Sequence, residues 1–153
     1  MLFEEWTSEQ PVEELREFIE NVAPYKPGSF FRRELPCLLK LLDRVLGRFD
    51  LVIIDGHVWL GAENRPGLGA HLYRALDGQV PVIGVAKSQF KGATNARPVL
   101  RGRSLRPLYV TAVGIDPVAA ATNIKRMHGT YRIPTLLKRV DELCRKPEPH
   151  SPR

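Results

Sequence analysis

One acidic residue and a lysine stand where side chains could do chemistry. Asp55 directly follows the apolar run 51–54, and Lys87 directly follows a second such run, 82–86. Because ligands collect where the strands of an open α/β sheet end, these residues are predicted to share one rim. A carboxylate there suits Mg²⁺, which prefers a few carboxylate oxygens together with water. The aspartate could equally form a turn with the following glycine, and the sequence leaves both interpretations open.

Other candidate residues have simpler explanations when each is taken alone. Glu34 stands at the start of a predicted helix, where the helix dipole favours a negative side chain. Asp141 lies at the edge of the apolar stripe of the last predicted helix, which is consistent with an exposed position. His57, His71 and His128 lack the i, i+4 spacing of a helical metal site, so loop or surface positions are predicted for them.

The chain is basic, with 23 lysines and arginines against 17 acidic residues, a net charge of +6 and a pI near 9.6. Such a charge suits a polyanionic partner, nucleic acid above all. Four arginines between residues 97 and 106 could follow a phosphate backbone or simply line a solvated loop. They are Arg97, Arg101, Arg103 and Arg106.

The two cysteines, Cys37 and Cys144, have neither CxxC spacing nor a histidine cluster nearby, so reduced thiols without zinc are predicted. No apolar run approaches the length of a membrane span, and the first ten residues lack the features of a signal peptide. We therefore expect a cytoplasmic protein that makes no contact with a membrane.

Hydrophobic periodicity predicts strands that alternate with helices. A stiff turn is expected at residues 24–28, and Pro36 requires the second helix to begin near Glu34. This order favours one α/β domain over residues 1–145 with helices on both faces of the sheet, followed by a disordered tail, 146–153. The predicted strands are 2–6, 51–54, 82–86 and 108–113, and the predicted helices are 12–22, 34–46, 68–76, 118–127 and 134–144.

Four blocks, in order, resemble the endonuclease V family, over residues 25–141. Any one block would be weak, but the ordered set is specific. The first block is Pro24-Tyr25-Lys26-Pro27-Gly28 leading to Phe30-Phe31-Arg32-Arg33-Glu34, and the second is residues 51–56, a strand ending in Asp-Gly. The third is Gly67-Leu68-Gly69-Ala70-His71 with Pro81-Val82-Ile83-Gly84-Val85-Ala86-Lys87-Ser88, and the fourth is Tyr131-Arg132-Ile133-Pro134 with Asp141 downstream.

This resemblance implies an RNase H-like three-layer sandwich with a mixed sheet. It also implies a nuclease that uses Mg²⁺, or Mn²⁺, to hydrolyse a phosphodiester near deaminated, inosine-type bases in DNA or RNA, as in DNA repair. Glu34, Asp55 and Asp141 would then be the metal ligands, and Lys87 would hold phosphate near the scissile bond. One hypothesis now explains three carboxylates that had separate explanations.

The resemblance also implies a set of nucleic-acid contacts. Tyr25 looks like the family's wedge, which enters the duplex where a base is extruded. Gly56 and Gly84 would let backbone approach the flipped nucleotide. Where the family continues with His-Pro-Arg, this chain has His57-Val58-Trp59, so His57 or Arg65 would have to substitute. The implied contacts are Tyr25, Pro27, Gly28, Gly56, His57, Arg65, His71 and Gly84.

One departure from the family pattern is larger. The family places a metal-binding aspartate on its first strand, whereas no aspartate occurs here before Asp43. Residues 2–6 resemble the third strand of a sheet ordered 3-2-1-4-5, so the first two strands are expected to be missing. Unpaired backbone in that gap would be costly, so residues 2–6, a second chain in a homodimer, or residues absent from this sequence should fill it.

We hypothesise that the chain is truncated or that its start was set too far downstream. Two rival functions remain open at this point. The first is a catalytically impaired nucleic-acid-binding protein of the same fold, with too few carboxylates to activate water. The second is a basic domain that binds no nucleic acid.

Overall fold

A computed structural model describes residues 1–146, and the described part contains ten regular elements. The helices are α1 (Phe30–Asp43), α2 (Leu68–Ala75), α3 (Pro117–Arg126) and α4 (Thr135–Arg145). The strands are β1 (Val52–Asp55), β2 (Trp59–Leu60), β3 (Arg65–Pro66), β4 (Val82–Ala86), β5 (Arg97–Val99) and β6 (Leu108–Val113).

The central sheet is mixed, with the strand order β1-β4-β6-β5. Strands β1 and β4 run parallel, with Asp55 opposite Val85, so both end at the same rim. Strand β6 runs antiparallel to β4 and to β5. Strands β2 and β3 form a separate small hairpin. Asp55 and Lys87 therefore share the rim that the sequence predicts.

Side-chain alternation divides the core into two layers, one on each face of the sheet. Ile54 and Val82 pack with α1 and α2, whereas Ile83 and Val85 pack with α3 and α4. By the same alternation, Asp55 and Lys87 point to the face that α4 covers. The three-layer sandwich with helices on both faces is confirmed.

The strongly patterned elements are confirmed within a residue or two: β1, β4, β6, α2, α3 and α4 all form where the sequence predicts them. The predicted turn also forms, since the Ser29 amide donates to the Lys26 carbonyl at 3.0 Å. Gly28 takes the left-handed conformation there, with φ of +76°. Helix α1 begins four residues earlier than predicted, at Phe30, so Pro36 lies inside the helix.

Two predicted N-terminal elements are wrong. Residues 2–6 form no strand of the sheet, and Leu2 makes only an isolated bridge to Glu13. Residues 12–22 form no helix; from 11 to 20 half-buried and exposed residues alternate, which is the period of an extended chain. The apolar residues that suggested a helical stripe, such as Phe18 and Val22, are exposed. Residues 2–6 therefore do not fill the predicted gap as a strand.

Ion pairs to two different helices are compatible with an extended segment and not with a helical one. Glu17 pairs with Lys40 at 2.9 Å and Arg44 at 3.0 Å on the α1 side, and Glu14 pairs with Arg139 on α4. One turn of helix could not reach both faces of the sheet, whereas an extended chain can. Residues 10–19, here named the N-terminal strap, thus cross between the two helical layers.

Strand β1 pairs with β4 alone among the described residues. The Val52 and Gly56 amides donate to the carbonyls of Pro81 and Val85 on that side. Because amides alternate along a strand, those of Ile53 and Asp55 point to the other edge, for which no backbone partner is found in residues 1–146. Strand β1 is therefore an edge strand of the sheet in the described part of the chain, and the predicted gap beside it stays a prediction.

The domain boundary at 145 and the tail at 146–153 remain predictions, since residues 147–153 lie outside the described part of the chain. No helix among the described residues combines the length and the apolar character that crossing a bilayer requires.

Candidate active site

Lys87 joins two of the predicted acidic residues. Its Nζ lies 3.7 Å from Asp55 Oδ2 and 3.9 Å from Asp141 Oδ2. Asp55 and Lys87 come from the adjacent ends of β1 and β4, and Asp141 comes from α4, which packs on the same face. The structure therefore brings these three side chains together from distant parts of the sequence.

These contacts are exposed. The side chains of Asp55, Lys87 and Asp141 are 72%, 46% and 37% accessible to solvent. Exposed ion pairs contribute about 1 kcal/mol or less, because water screens them. Lys87 can therefore exchange these carboxylates for another anion at little cost.

Asp141 has a second cationic partner. Arg145, one turn later on α4, places Nη2 2.9 Å from Asp141 Oδ2. Two cations thus compete for the carboxylate that a metal ion would need. Arg145 is not among the predicted site residues, although its i, i+4 spacing from Asp141 could have indicated it.

Glu34 remains apart from this group. It lies on α1, which packs on the opposite face of the sheet, and the cation beside it is Arg33 at 3.6 Å. The Phe31 ring stacks on His71, whose helix begins beside His57, so the first turns of α1 do lie near the rim. Glu34 is thus at the same end of the sheet without an ion pair to Lys87 among the described contacts.

The donor set can be compared with what Mg²⁺ requires. Residues 1–146 contain no group of three His, Cys, Asp or Glu side chains placed to hold one metal ion. Asp55 and Asp141 nevertheless offer carboxylate oxygens to one cation, the Lys87 ammonium. Since Mg²⁺ is often held by one or two carboxylates with water and substrate phosphate, the pair fits an open site rather than a closed cage.

Lys87 is also held through its backbone. Arg132 Nη2 donates to the Lys87 carbonyl at 2.6 Å and to the Pro107 carbonyl at 2.8 Å. Arg132 belongs to the Tyr-Arg-Ile-Pro block, so the sequence marked its position without indicating this contact. The block thus fixes the end of β4.

Arg101 is not a phosphate-binding surface residue. It is only 5% exposed, and burial lowers the pKa of its guanidinium. Its nitrogens donate to the carbonyls of five residues in the last turn of α3 and in the segment between α3 and α4, so hydrogen bonds to uncharged groups compensate the buried charge. The five acceptors are Lys125, Met127, Gly129, Tyr131 and Arg132.

The two glycines expected to approach a nucleotide differ in their surroundings. Gly84 is buried, and a Cβ there would lie 2.6 Å from the Gly56 carbonyl oxygen and 2.9 Å from the Val58 amide nitrogen. The close approach that Gly84 permits is therefore that of the protein's own chain. Gly56 has φ of +141°, and no atom lies within 4 Å of the place that a Cβ would take, so its outer side is open.

The loop after Asp55 is held by groups that are not among the predicted site residues. The buried Thr111 hydroxyl accepts a hydrogen bond from the Val58 amide at 2.8 Å. Gly67 and Gly69, in the Gly-Leu-Gly block, let the first turn of α2 pack against His57 and Val58, where a Cβ would come within 2.6 Å. Asp55 is thus followed by a tightly packed loop.

His57 and Arg65 meet around Phe90. The His57 ring lies edge-on to Phe90 at 6.2 Å, and the Arg65 guanidinium lies over the same ring at 5.8 Å. His57 Nε2 donates to the Ser88 carbonyl at 3.2 Å, which leaves the buried Nδ1 without a partner. Burial lowers the pKa of His57, and the Ser88 bond opposes this only in part.

His71 packs against α1 instead of facing solvent freely. Its ring stacks on Phe31 with the centroids 3.6 Å apart and 13° between the planes. Burial, and then the charge of Arg74, lower the pKa of His71. The contact explains how the neutral imidazole helps to join α1 to α2.

Tyr25 precedes the turn of Pro27 and Gly28 and is 60% exposed. Its ring is therefore free to contact another molecule, as a stacking residue requires.

A cavity of about 250 Å³ opens beside the acidic residues. Asp55, Lys87 and Asp141 form one part of its wall. The rest is mainly apolar and comes from β1, β4, β6, α4 and the segment before α4, including Ile53, Leu108 and Ile133. The cavity therefore lies against β1 and α4.

Fold and site together define an α/β sandwich protein with Asp55 and Lys87 at the carboxyl ends of two parallel strands and Asp141 beside them on α4. The sequence model of the Endonuclease V family matches residues 1–115, and the chain therefore belongs to this family. It is 37% identical over 142 residues to endonuclease V from Rhodospirillum centenum, an alignment that covers 78% of this chain and 57% of that protein.

Solved structures agree. The crystal structure of endonuclease V from Streptomyces avermitilis has a TM-score of 0.60 and 32% identity, covering 80% of this chain and 61% of that one. Human ENDOV has a TM-score of 0.63 and 25% identity, covering 80% and 66%. Ciona intestinalis endonuclease V, solved with a 24mer DNA containing an inosine followed by a ribo-adenosine, shares the fold at a TM-score of 0.65 and 21% identity, covering 80% and 66%.

The chain spans about 57 to 61% of the length of the Rhodospirillum and Streptomyces relatives.

Proposed function

We propose that this protein is a metal-dependent endonuclease that hydrolyses a phosphodiester near a deaminated, inosine-type base. The observation that carries the proposal is the convergence of Asp55 and Asp141 on Lys87, at the rim where β1 and β4 end, in a chain of the Endonuclease V family. The inosine-containing DNA in the Ciona intestinalis structure supports the substrate class.

Lys87 is the residue that would bind the scissile phosphate. Its ammonium already rests between two anionic groups, and both contacts are exposed and weak. A phosphate oxygen can therefore replace one carboxylate with little loss of free energy. The charge of Lys87 would offset the negative charge that develops on the phosphoryl group during hydrolysis.

Asp55 and Asp141 are the residues that would hold Mg²⁺ or Mn²⁺, and Glu34, the third carboxylate that the family resemblance implies, would join them directly or through water. When bound, the metal polarises the phosphoryl oxygen and lowers the pKa of the attacking water. The chain's own part is to keep Asp55 rigid through the packed loop that follows it and to supply Asp141 from α4.

Tyr25 and the His57–Phe90–Arg65 group are the proposed nucleic-acid contacts. Tyr25 is exposed before a stiff turn, so its ring can stack where a base leaves the duplex. Arg65, beside His57 and Phe90, presents a cation close to the rim that carries Asp55. These contacts do not discriminate DNA from RNA, because none of them identifies a 2′-hydroxyl group.

A nicking assay on an inosine-containing strand in Mg²⁺ tests the proposal. We expect cleavage by the wild type and a loss of about 100-fold or more in Asp55→Ala, since metal-assisted charge stabilisation contributes several kcal/mol. Asp50→Ala is the matched control, because Asp50 is an exposed aspartate just before the same strand. Equal rates in Asp55→Ala and wild type would refute the assignment of Asp55.

A catalytically impaired nucleic-acid-binding protein is the second candidate. It is favoured by one observation, the lack of a three-ligand metal group among residues 1–146. Binding of the inosine strand with a steep salt dependence, but no nicking at any Mg²⁺ or Mn²⁺ concentration, would establish it. Absence of any salt-dependent binding would instead favour the third possibility, a basic domain without a nucleic-acid partner.

A further inference from the structure

Two arginines connect the segment between α3 and α4 to the acidic rim. Arg101 Nε donates to Lys125, Nη1 donates to Tyr131 and Arg132, and Nη2 donates to Met127 and Gly129. All five guanidinium donors thus end on backbone carbonyls. Several of these carbonyls lie at the end of α3, where the helix dipole also favours a cation.

A second observation shows that this segment is packed closely on the residues after β5. Gly102 has φ of +60°, and a Cβ at this position would overlap the carbonyl oxygen of Thr130. Only glycine can therefore follow Arg101 without displacing the segment. We name residues 127–132 the anchor loop.

The anchor loop reaches the candidate active site along two routes. Arg132, at its end, donates from Nη2 to the carbonyl of Lys87 at 2.6 Å. The loop also sets the start of α4, because the Thr135 amide donates to the His128 carbonyl at 2.8 Å. The same helix carries Asp141, so the loop contacts the supports of two of the three residues at the rim.

We propose that Arg101 and Arg132 are positioning residues: Arg101 holds the anchor loop, and Arg132 in that loop holds the backbone of Lys87 so that its ammonium lies between Asp55 and Asp141. The link to catalysis rests on the proposed nuclease function, whereas the positioning of Lys87 does not. Arg101 therefore acts from the interior and touches no substrate.

The positioning of Lys87 is measured without an activity assay. In protein carrying ¹³C-labelled lysine, the Lys87 side-chain signal is identified by its loss in Lys87→Arg. We expect Asp55→Asn to shift this signal in the wild-type background. In an Arg132→Met background, the shift that Asp55→Asn causes should be smaller by about half or more. Comparing Asp55→Asn in the two backgrounds is a double-mutant cycle, which isolates the interaction between residues 55 and 132. Arg126→Met is the matched control, since Arg126 is an exposed arginine at the end of α3.

Conservative variants distinguish the two arginines. Arg132 uses a single nitrogen for both of its carbonyls, so Arg132→Lys should preserve the response of the Lys87 signal. Arg101 uses three nitrogens, so Arg101→Lys should not preserve it. If Arg101→Lys fails to fold, Arg132→Met still tests whether the anchor loop positions Lys87, because Arg132 is only partly buried and its replacement should leave the fold intact.

Nicking kinetics then test the link to catalysis. A kcat lowered about 10- to 100-fold in Arg132→Met, with little change in KM, is expected from a slightly misplaced Lys87. An unchanged Lys87 signal and an unchanged response to Asp55→Asn in Arg132→Met would overturn the positioning proposal, whatever the rate. If the wild type does not nick but the NMR response behaves as expected, the nuclease proposal fails and the positioning of Lys87 stands.

Discussion

At the scale of single residues, the candidate site is a balance of exposed charges. Asp141 has Lys87 at 3.9 Å and Arg145 at 2.9 Å, and a metal ion must displace at least part of this positive charge. Asp55 has Lys87 alone among the ion pairs of the described residues. Metal affinity should therefore depend on Arg145 as well as on the carboxylates.

Replacing Arg145 with alanine tests this dependence. An i, i+4 pair is worth about 0.3–0.5 kcal/mol, so we expect the Mn²⁺ dissociation constant to fall by about twofold. Titration calorimetry measures this directly. Lys138→Ala serves as the control, because it removes a cation from the same helix that pairs with Glu142 instead. Equal affinities in Arg145→Ala and wild type would show that Asp141 takes no part in the metal site.

His71 predicts a pH dependence of stability. Its pKa is lowered in the folded state, first by burial and then by Arg74, so the unfolded chain binds the proton more readily. The free energy of unfolding should then decrease as the pH falls below the ordinary histidine value of about 6.5 towards the folded-state pKa. Urea unfolding at several pH values measures this slope.

His71→Phe is the informative variant, since a phenyl ring can keep the stack on Phe31 but cannot bind a proton. The slope between neutral and acidic pH should be smaller in this variant. A slope equal to that of the wild type would mean that His71 does not couple folding to protonation.

At the scale of elements, the close packing at the carboxyl ends of β1 and β4 depends on residue 84 being a glycine, which has no side chain. The carbonyl of Gly56 and the amide of Val58 occupy the space that a Cβ of residue 84 would need. The Gly84 position therefore explains why the loop after Asp55 lies directly on β4. A larger residue must either move that loop or separate the strands.

Gly84→Ala should destabilise the protein by about 1–3 kcal/mol, as overpacking of a close-packed interior does. Gly92→Ala is a suitable comparison, because Gly92 has φ of +77° but nothing within 4 Å of an added Cβ. Its cost should be only the backbone strain of about 1 kcal/mol. Denaturant unfolding compares the two, and a smaller effect in Gly84→Ala would contradict the crowding seen here.

Sequence patterns predicted strands β1 and β4 correctly but not the N-terminal strap, and the reasons are physical. Strands β1 and β4 are short apolar runs that end in polar residues, a pattern that burial on both faces enforces. The N-terminal strap offered apolar residues at helical spacing, yet its glutamates pair with cations on two helices. Because those cations are distant in sequence, the spacing alone could not show that the extended form wins.

At the scale of the whole molecule, the edge of β1 that pairs with no strand within residues 1–146 is the main candidate for an interaction surface. The amides of Ile53 and Asp55 point to this edge, and an unpaired strand edge is a template for another strand. The N-terminal strap passes between α1 and α4 without forming a ladder with the sheet. A second copy of the chain is one partner that could offer backbone groups to these amides.

We therefore predict self-association as the protein concentration rises, measured by sedimentation velocity. Ile53→Pro removes an outward-pointing amide while leaving the β1–β4 bonds in place, so it should shift the equilibrium towards monomer. Circular dichroism would verify that the variant keeps its fold. A wild type that stays monomeric at every concentration tested would contradict self-association through the β1 edge.

The sequence alone determined the family resemblance, the alternation of strands and helices, and the rim shared by Asp55 and Lys87, because these depend on local periodicity and on motifs that are contiguous in the chain. The tertiary structure decided which acidic residues meet: Asp141 joins Lys87, whereas Glu34 lies on the helix of the opposite layer. It also decided that Arg101 is an internal anchor and not a surface cation. Burial and partnership depend on segments far apart in sequence, and only their packing brings them into contact.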